Sequence, residues 1–155
     1  MRGLSSSNPL RIKRKRKTKV FLFYAIDYGS KRTGFALSDD SKTFAFGLST
    51  QNTHEILPYL DKLVPKEKID TIVIGEPKTL TNEPAAITPK IDLLKRQLTN
   101  RFPDVQLVSM DERFTSKMAF QSMIDSGMKK KDRQNKALVD EISATLILQQ
   151  YLETL

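Results

Sequence analysis

The chain has 155 residues, 39% of them hydrophobic and 28% charged, with no cysteine, one histidine and a formal net charge of +8. That length fits one domain burying roughly 70% of its unfolded surface. Lack of cysteine excludes disulfides and thiolate metal sites, and a lone His54 disfavours a Ser-His triad or a histidine-rich zinc centre, so any chemistry falls to carboxylates.

The chain opens on a basic stretch. Residues 1–19 hold eight of the 26 cations and no acid, so the other 18 cations balance the 18 acids of the body. Such an arm attracts nucleic acid by counterion release, or only keeps the chain soluble. We expect a flexible extension over 1–19 and one domain over 20–155. The apolar run that follows lacks a small-residue cleavage site, and no segment approaches the roughly 20 apolar residues that span a membrane. A cytoplasmic protein with no membrane partner is expected.

Val20 to Ile26 is seven successive apolar or aromatic residues, the pattern of a strand covered on both faces. Gly34–Ser38 is a second strand after a tight turn, and Phe44–Ser49 a third. Asn52 or Thr53 can cap a helix to about Val64, with Ile56, Leu57, Leu60, Leu63 and Val64 on one face. Thr71–Gly75 reads as a central strand and Glu76–Pro89 as a long loop. Ile91, Leu94, Leu98 and Phe102 mark the next helix, and Val105–Met110 the fifth strand. Thr115 or Ser116 caps a helix ending near Gly127, Met128–Lys136 is a polar basic loop, and Ala137–Leu155 is the final helix. The order β-β-β-α-β-α-β-α-α predicts an α/β fold, a five-stranded mixed sheet with helices on its faces.

Three acidic positions share a logic. Asp27 ends strand one, Asp111 and Glu112 follow strand five, and Asp140 sits near the start of the last helix, one turn before the small Ala144. A helix packed across the sheet there would bring the carboxylates together. Clustered carboxylates repel unless they share a divalent cation, and oxygen-only ligands suit Mg²⁺ or Mn²⁺. Two such ions can clamp the attacking and leaving oxygens of a phosphodiester. Each residue has a plainer reading. Asp27 could accept from the N–H groups of the Tyr28-Gly29 turn, Asp111, Glu112 and Arg113 could form a solvated ion-pair cluster, and Asp140 could favour the positive end of its helix. Lys31, Arg32 and Arg113 could hold phosphates, or keep their loops hydrophilic. Lys129, Lys130, Lys131 and Arg133 could guide a nucleic-acid strand toward Asp140, or form a solvated loop.

Four segments taken together carry a resemblance. Ala25-Ile26-Asp27-Tyr28-Gly29 with Lys31-Arg32-Thr33-Gly34, then Ile74-Gly75-Glu76-Pro77, then Asp111-Glu112-Arg113-Phe114-Thr115-Ser116, then Val139-Asp140-Glu141-Ile142-Ser143-Ala144 running into Ile147-Leu148-Gln149-Gln150-Tyr151-Leu152 occur in order from about residue 20 onward. The chain resembles the YqgF family of RuvC-like, ribonuclease H-fold proteins, described as candidate Holliday junction resolvases and as nucleases maturing the 16S ribosomal RNA precursor. The resemblance implies a ribonuclease H-like fold and Asp27, Glu112 and Asp140 as catalytic acids and ligands to Mg²⁺ or Mn²⁺, with a metal-activated water attacking phosphorus. Precursor ribosomal RNA is the implied substrate, with branched DNA as the alternative, and the state is monomer or homodimer. Two departures stand out: Glu76 replaces a usually apolar residue and could add to or substitute for Glu112, as could Asp111, and Lys78–Glu83 replaces a glycine-containing loop. Two rivals are a non-catalytic nucleic-acid-binding module, and an actin-like phosphate-loop ATPase, for which the chain has one domain where two are needed.

Overall fold

The computed structural model describes residues 21–76, 86–111 and 121–155. Strands β1 (Leu22–Tyr28), β2 (Arg32–Ser38) and β3 (Ala45–Asn52) are followed by helix α1 (Ile56–Glu67), β4 (Ile69–Glu76), α2 (Thr88–Arg101) and β5 (Gln106–Asp111). A short helix α3 (Lys130–Arg133) precedes the final helix α4 (Lys136–Leu152). The five strands form one sheet in the order β3-β2-β1-β4-β5. The β1–β2 and β2–β3 pairs are antiparallel, and β4 and β5 run parallel to β1. The expected mixed sheet is thus present.

Alternation along the strands builds two unlike cores. Tyr24 and Ile26 of β1, Phe35 of β2 and Ile72 and Ile74 of β4 point to one face, where Ile56, Leu60 and Val64 of α1 and Ile91, Leu94 and Leu98 of α2 cover them. Ala25, Ala36 and Val73 point to the other, under Ala144, Ile147, Leu148 and Leu152 of α4. Small sheet residues on that second face let α4 come close. At Gly34 an added Cβ would lie 2.1 Å from the carbonyl oxygen of Asp140, so the helix backbone rests on the glycine itself. At Gly47 an added Cβ would lie 2.3 Å from Oε1 of Glu141.

The structure differs from the sequence-based expectation mainly at element ends. β1 runs through Asp27 to Tyr28, and β2 starts at Arg32, because the antiparallel ladder continues through Asp27↔Gly34 and Tyr28↔Thr33. β3 reaches Asn52, which pairs with Arg32. Neither Asn52 nor Thr53 caps α1, whose start is preceded by a 3₁₀ turn at Thr53–Glu55 with no side-chain cap. α1 continues past Val64 through Pro65, and the left-handed Lys68 ends it by returning its N–H to Val64. The basic segment, expected as loop, folds into α3 over Lys130–Arg133. Asn135 then caps α4, its side chain accepting from the N–H groups of Ala137 and Leu138. Gly127 holds a φ of +78° where residues 121–125 end a helix, as expected for a C-terminal glycine. The start of that helix, at Thr115 or Ser116, lies outside the described residues.

Candidate active site

Strand register puts Asp27 beside α4. Asp27 alternates with Ala25 onto the α4 face and is the cross-strand partner of Gly34. The backbone of Asp140 lies on that same Gly34, so β1 and α4 bring the two aspartates to one end of one sheet face. Asp140 falls in the second turn of α4, further in than the sequence suggests, because the helix begins at Lys136.

Arg32, two positions before Gly34 on β2, donates its Nε to Oδ2 of Asp140 at 3.1 Å. Burial pushes the Asp140 carboxyl above its ordinary range, and Arg32 and then Lys136 offset only part of that shift. The carboxylate is therefore under-compensated by its protein surroundings. Beside it opens a groove of about 470 Å³ lined by Arg32, Arg133, Gln134, Lys136, Val139 and Asp140. Three cations face one acid there, the balance a polyanion needs. Arg133 is tied down by donating Nη1 to the carbonyl of Met128 at 2.9 Å.

The β1–β2 turn is braced from outside. The Thr53 hydroxyl donates to the carbonyl of Gly29 at 2.6 Å and lies 2.9 Å from the hydroxyl of buried Thr33, and the Thr53 N–H donates to the carbonyl of Lys31 at 2.9 Å. With the Thr53 proton given to Gly29, the Thr33 hydroxyl is the donor of that pair. The sequence does not announce this bracing, because Thr53 there reads as a helix cap.

The remaining expected residues divide. Glu76 points to the opposite face, pairs with Lys95 of α2 and accepts from Ser109 Oγ at 3.3 Å, so the structure does not bring it to Asp27 and Asp140. Asp111 is the cross-strand partner of Glu76, exposed and turned to that same face. Lys95 offsets the repulsion between these neighbouring carboxylates. Lys129, Lys130 and Lys131 are exposed and do not line the groove, which takes Arg133 and Lys136 from the basic segment instead. Lys31 is exposed in the turn. Glu141 lies over Gly47. Glu112 and Arg113 lie outside the described residues. Among the described residues no three acidic or histidine side chains group closely enough to hold a metal ion.

A family model described as RuvX, Holliday junction resolvase, matches residues 22–154. The chain belongs to this family. Proteins bearing the name "Putative pre-16S rRNA nuclease" are close relatives. One from Flavobacterium psychrophilum is 53% identical over 128 residues, 83% of this chain and 93% of its own length. One from Bacteroides fragilis is 52% identical over 130 residues, 84% and 94% of the two chains. Among solved structures, T. thermophilus RuvC in complex with a Holliday junction substrate superposes with a TM-score of 0.53 at 15% identity, covering 86% of this chain and 94% of that one. That likeness gives the RuvC-like, ribonuclease H-like fold. Among the described residues no helix is long and apolar enough to cross a membrane.

Proposed function

We propose that this chain is a metal-dependent nuclease of the cytoplasm that processes the 5′ end of precursor 16S ribosomal RNA. The observation that carries the reading is that strand register and the seat of α4 on Gly34 set Asp27 and Asp140 at one end of one sheet face, with Asp140 on a cationic groove, in a chain about half identical to relatives of that name. Their all-oxygen donor set fits Mg²⁺ or Mn²⁺, with Glu112 as third ligand. The parity of β5, whose Val108 and Met110 face α4, turns Asp111 away from Asp27 and Asp140. Bound there, a divalent ion supplies charge neutralisation at the scissile phosphate and activation of water.

The chain's own residues do the rest. Asp27 and Asp140 fix the donor geometry from a strand and a helix, not from loops. Arg133 and Lys136 line the path of the sugar-phosphate backbone, and Arg32 presents a guanidinium at the groove's acidic end, suited to a phosphate oxygen. Lys31, Arg113, Lys129, Lys130, Lys131 and the basic residues 1–19 add longer-range attraction. Cleavage of a four-way DNA junction is the second reading, favoured by the family description and the RuvC-like fold.

The test is cleavage of a 16S precursor fragment and of a four-way DNA junction in Mg²⁺ or Mn²⁺ by wild type and Asp27→Asn. Metal-dependent cutting of the RNA, lost in the variant, is expected. Cutting of the junction alone would move the assignment to resolvase. RNA binding without cutting of either substrate would leave a non-catalytic binding module.

A further inference from the structure

A second cavity lies behind the candidate site, on the other face of the same strand end. β1 sends Asp27 toward α4 and Tyr28 toward α1 and α2, so neighbouring residues serve opposite faces of the sheet. Tyr28 enters a cavity of about 430 Å³ between the β1–β2 turn, α1 and α2, whose walls include Ser30, Leu57, Lys90, Leu93 and Gln97. That volume falls in the roughly 300–1,000 Å³ range of small-molecule sites.

The walls are of two chemical kinds. Tyr28 offers an aromatic ring and Leu57 and Leu93 aliphatic surface, while Ser30, Gln97 and Lys90 offer a hydroxyl, an amide and an ammonium; among the described residues no carboxylate lines the cavity. Leu93 is 48% exposed, among the largest apolar exposures of the described residues, and it sits on this rim. The turn between the cavity and Asp27 is held at Gly29 and Lys31 by Thr53, which fixes the spacing of the two sites. Arg32 lines the groove on one side of the turn and Lys90 the cavity on the other, so a polyanion crossing this end of the sheet meets cations along its way.

We propose that this cavity receives one unpaired nucleobase of the substrate strand, next to the phosphate held at Asp27 and Asp140. Tyr28 stacks on the base and Leu93 packs against it, Ser30 and Gln97 meet its polar edge, and Lys90 takes the adjoining phosphate. A nucleobase combines flat apolar faces with a polar rim, which is the division of these walls. The base is unpaired because a paired base gives its faces to its neighbours in the stack. This inference rests on the nuclease reading above and specifies how the same site engages its substrate.

The test uses the full chain carrying Asp27→Asn, so that RNA is bound and not cut. Twelve-nucleotide single-stranded RNAs from the 5′ flank of a 16S precursor, each with one abasic position, are titrated in Mg²⁺ by fluorescence anisotropy. One position should stand out, where losing the base weakens binding about 5- to 150-fold, the range for one stacked base. Adding Leu93→Ala and Gln97→Ala should weaken the intact RNA and abolish the effect at that position, with thermal unfolding confirming that the variant is folded. A photo-crosslink from 4-thiouridine placed there, in protein with an unaltered cavity, should label the peptides containing Tyr28 or Leu93. A flat scan, or a dip that survives the cavity substitutions, overturns the proposal. If wild type still cuts the precursor, the nuclease reading stands without it. Failure to bind or cut any of these RNAs removes both.

Discussion

The two faces of the sheet follow opposite packing rules. Toward α1 and α2 the sheet presents Tyr24, Ile26, Phe35, Ile72 and Ile74, large side chains that hold the helices off and form a sealed core. Toward α4 it presents Ala25, Gly34, Ala36 and Gly47, and the helix settles onto the backbone. The first arrangement maximises buried apolar area. The second buries less per residue, but it delivers a specific peptide unit, Asp140, to within contact of β2 beside Asp27. On this account one face chiefly provides stability and the other chiefly provides geometry.

Substitutions that separate the two faces test this division. The largest expected effect is at Asp27, where Asp27→Asn should lower the cleavage rate by roughly 10²–10⁴-fold, corresponding to several kcal/mol of transition-state stabilisation. Its thermal unfolding should shift little. Leu60→Ala, on the fully buried face of α1, should cost about 2–5 kcal/mol in denaturant unfolding and leave the turnover of the remaining folded protein near wild type. Gly34→Ala should cost less, roughly 1–3 kcal/mol, because α4 must lift to clear the new methyl group. Its loss of activity should nonetheless exceed that of Leu60→Ala, since the helix that moves carries Asp140. Equal activity losses in the two variants would erase the distinction between the faces.

A smaller effect follows from the carboxyl of Asp140. Its pKa is raised in the fold by burial above the ordinary value of 3.8, so the native state holds its proton more tightly than the unfolded chain does. The resulting cost to stability is full above the folded pKa, and it fades as pH falls from there through 3.8. Without divalent metal, Asp140→Asn should therefore unfold at a slightly higher temperature than wild type at neutral pH, and the gap should close under acid conditions. The smallest effect belongs to the arm. Deleting residues 1–19 should weaken RNA binding at low salt and reduce the slope of log affinity against log salt, while activity at saturating RNA stays unchanged.

Much of this arrangement is legible in the sequence because it obeys short-range rules. Seven apolar residues before Asp27 specify a central strand, and the Ile91, Leu94 and Leu98 spacing specifies a helix face. Element ends are less legible because tertiary partners set them. Asp27 stays in β1 because Gly34 pairs with it, and Thr53 gives up a capping role to tie down the Gly29–Lys31 turn. Which way an acid points depends on register across the sheet. Glu76 and Asp111 look as eligible as Asp27 when each is read as a strand-end acid, yet alternation turns both to the other face, where Lys95 meets Glu76. The sequence does carry one overlooked signal. Gly34, which reads as the first residue of a strand, marks the point where α4 touches the sheet. Lys136, the last cation of the basic run, lines the groove that Lys129, Lys130 and Lys131 do not reach.

The central claim is that Asp27 and Asp140 act as one unit on one phosphate. The most direct measurement is a double-mutant cycle of metal-dependent cleavage of the 16S precursor fragment by wild type, Asp27→Asn, Asp140→Asn and the double variant. Residues that share one metal-supported step lose nearly everything when either is removed, so the double variant should cut no more slowly than the worse single variant. Losses that multiply, or near-wild-type cleavage by either single variant, would contradict the account.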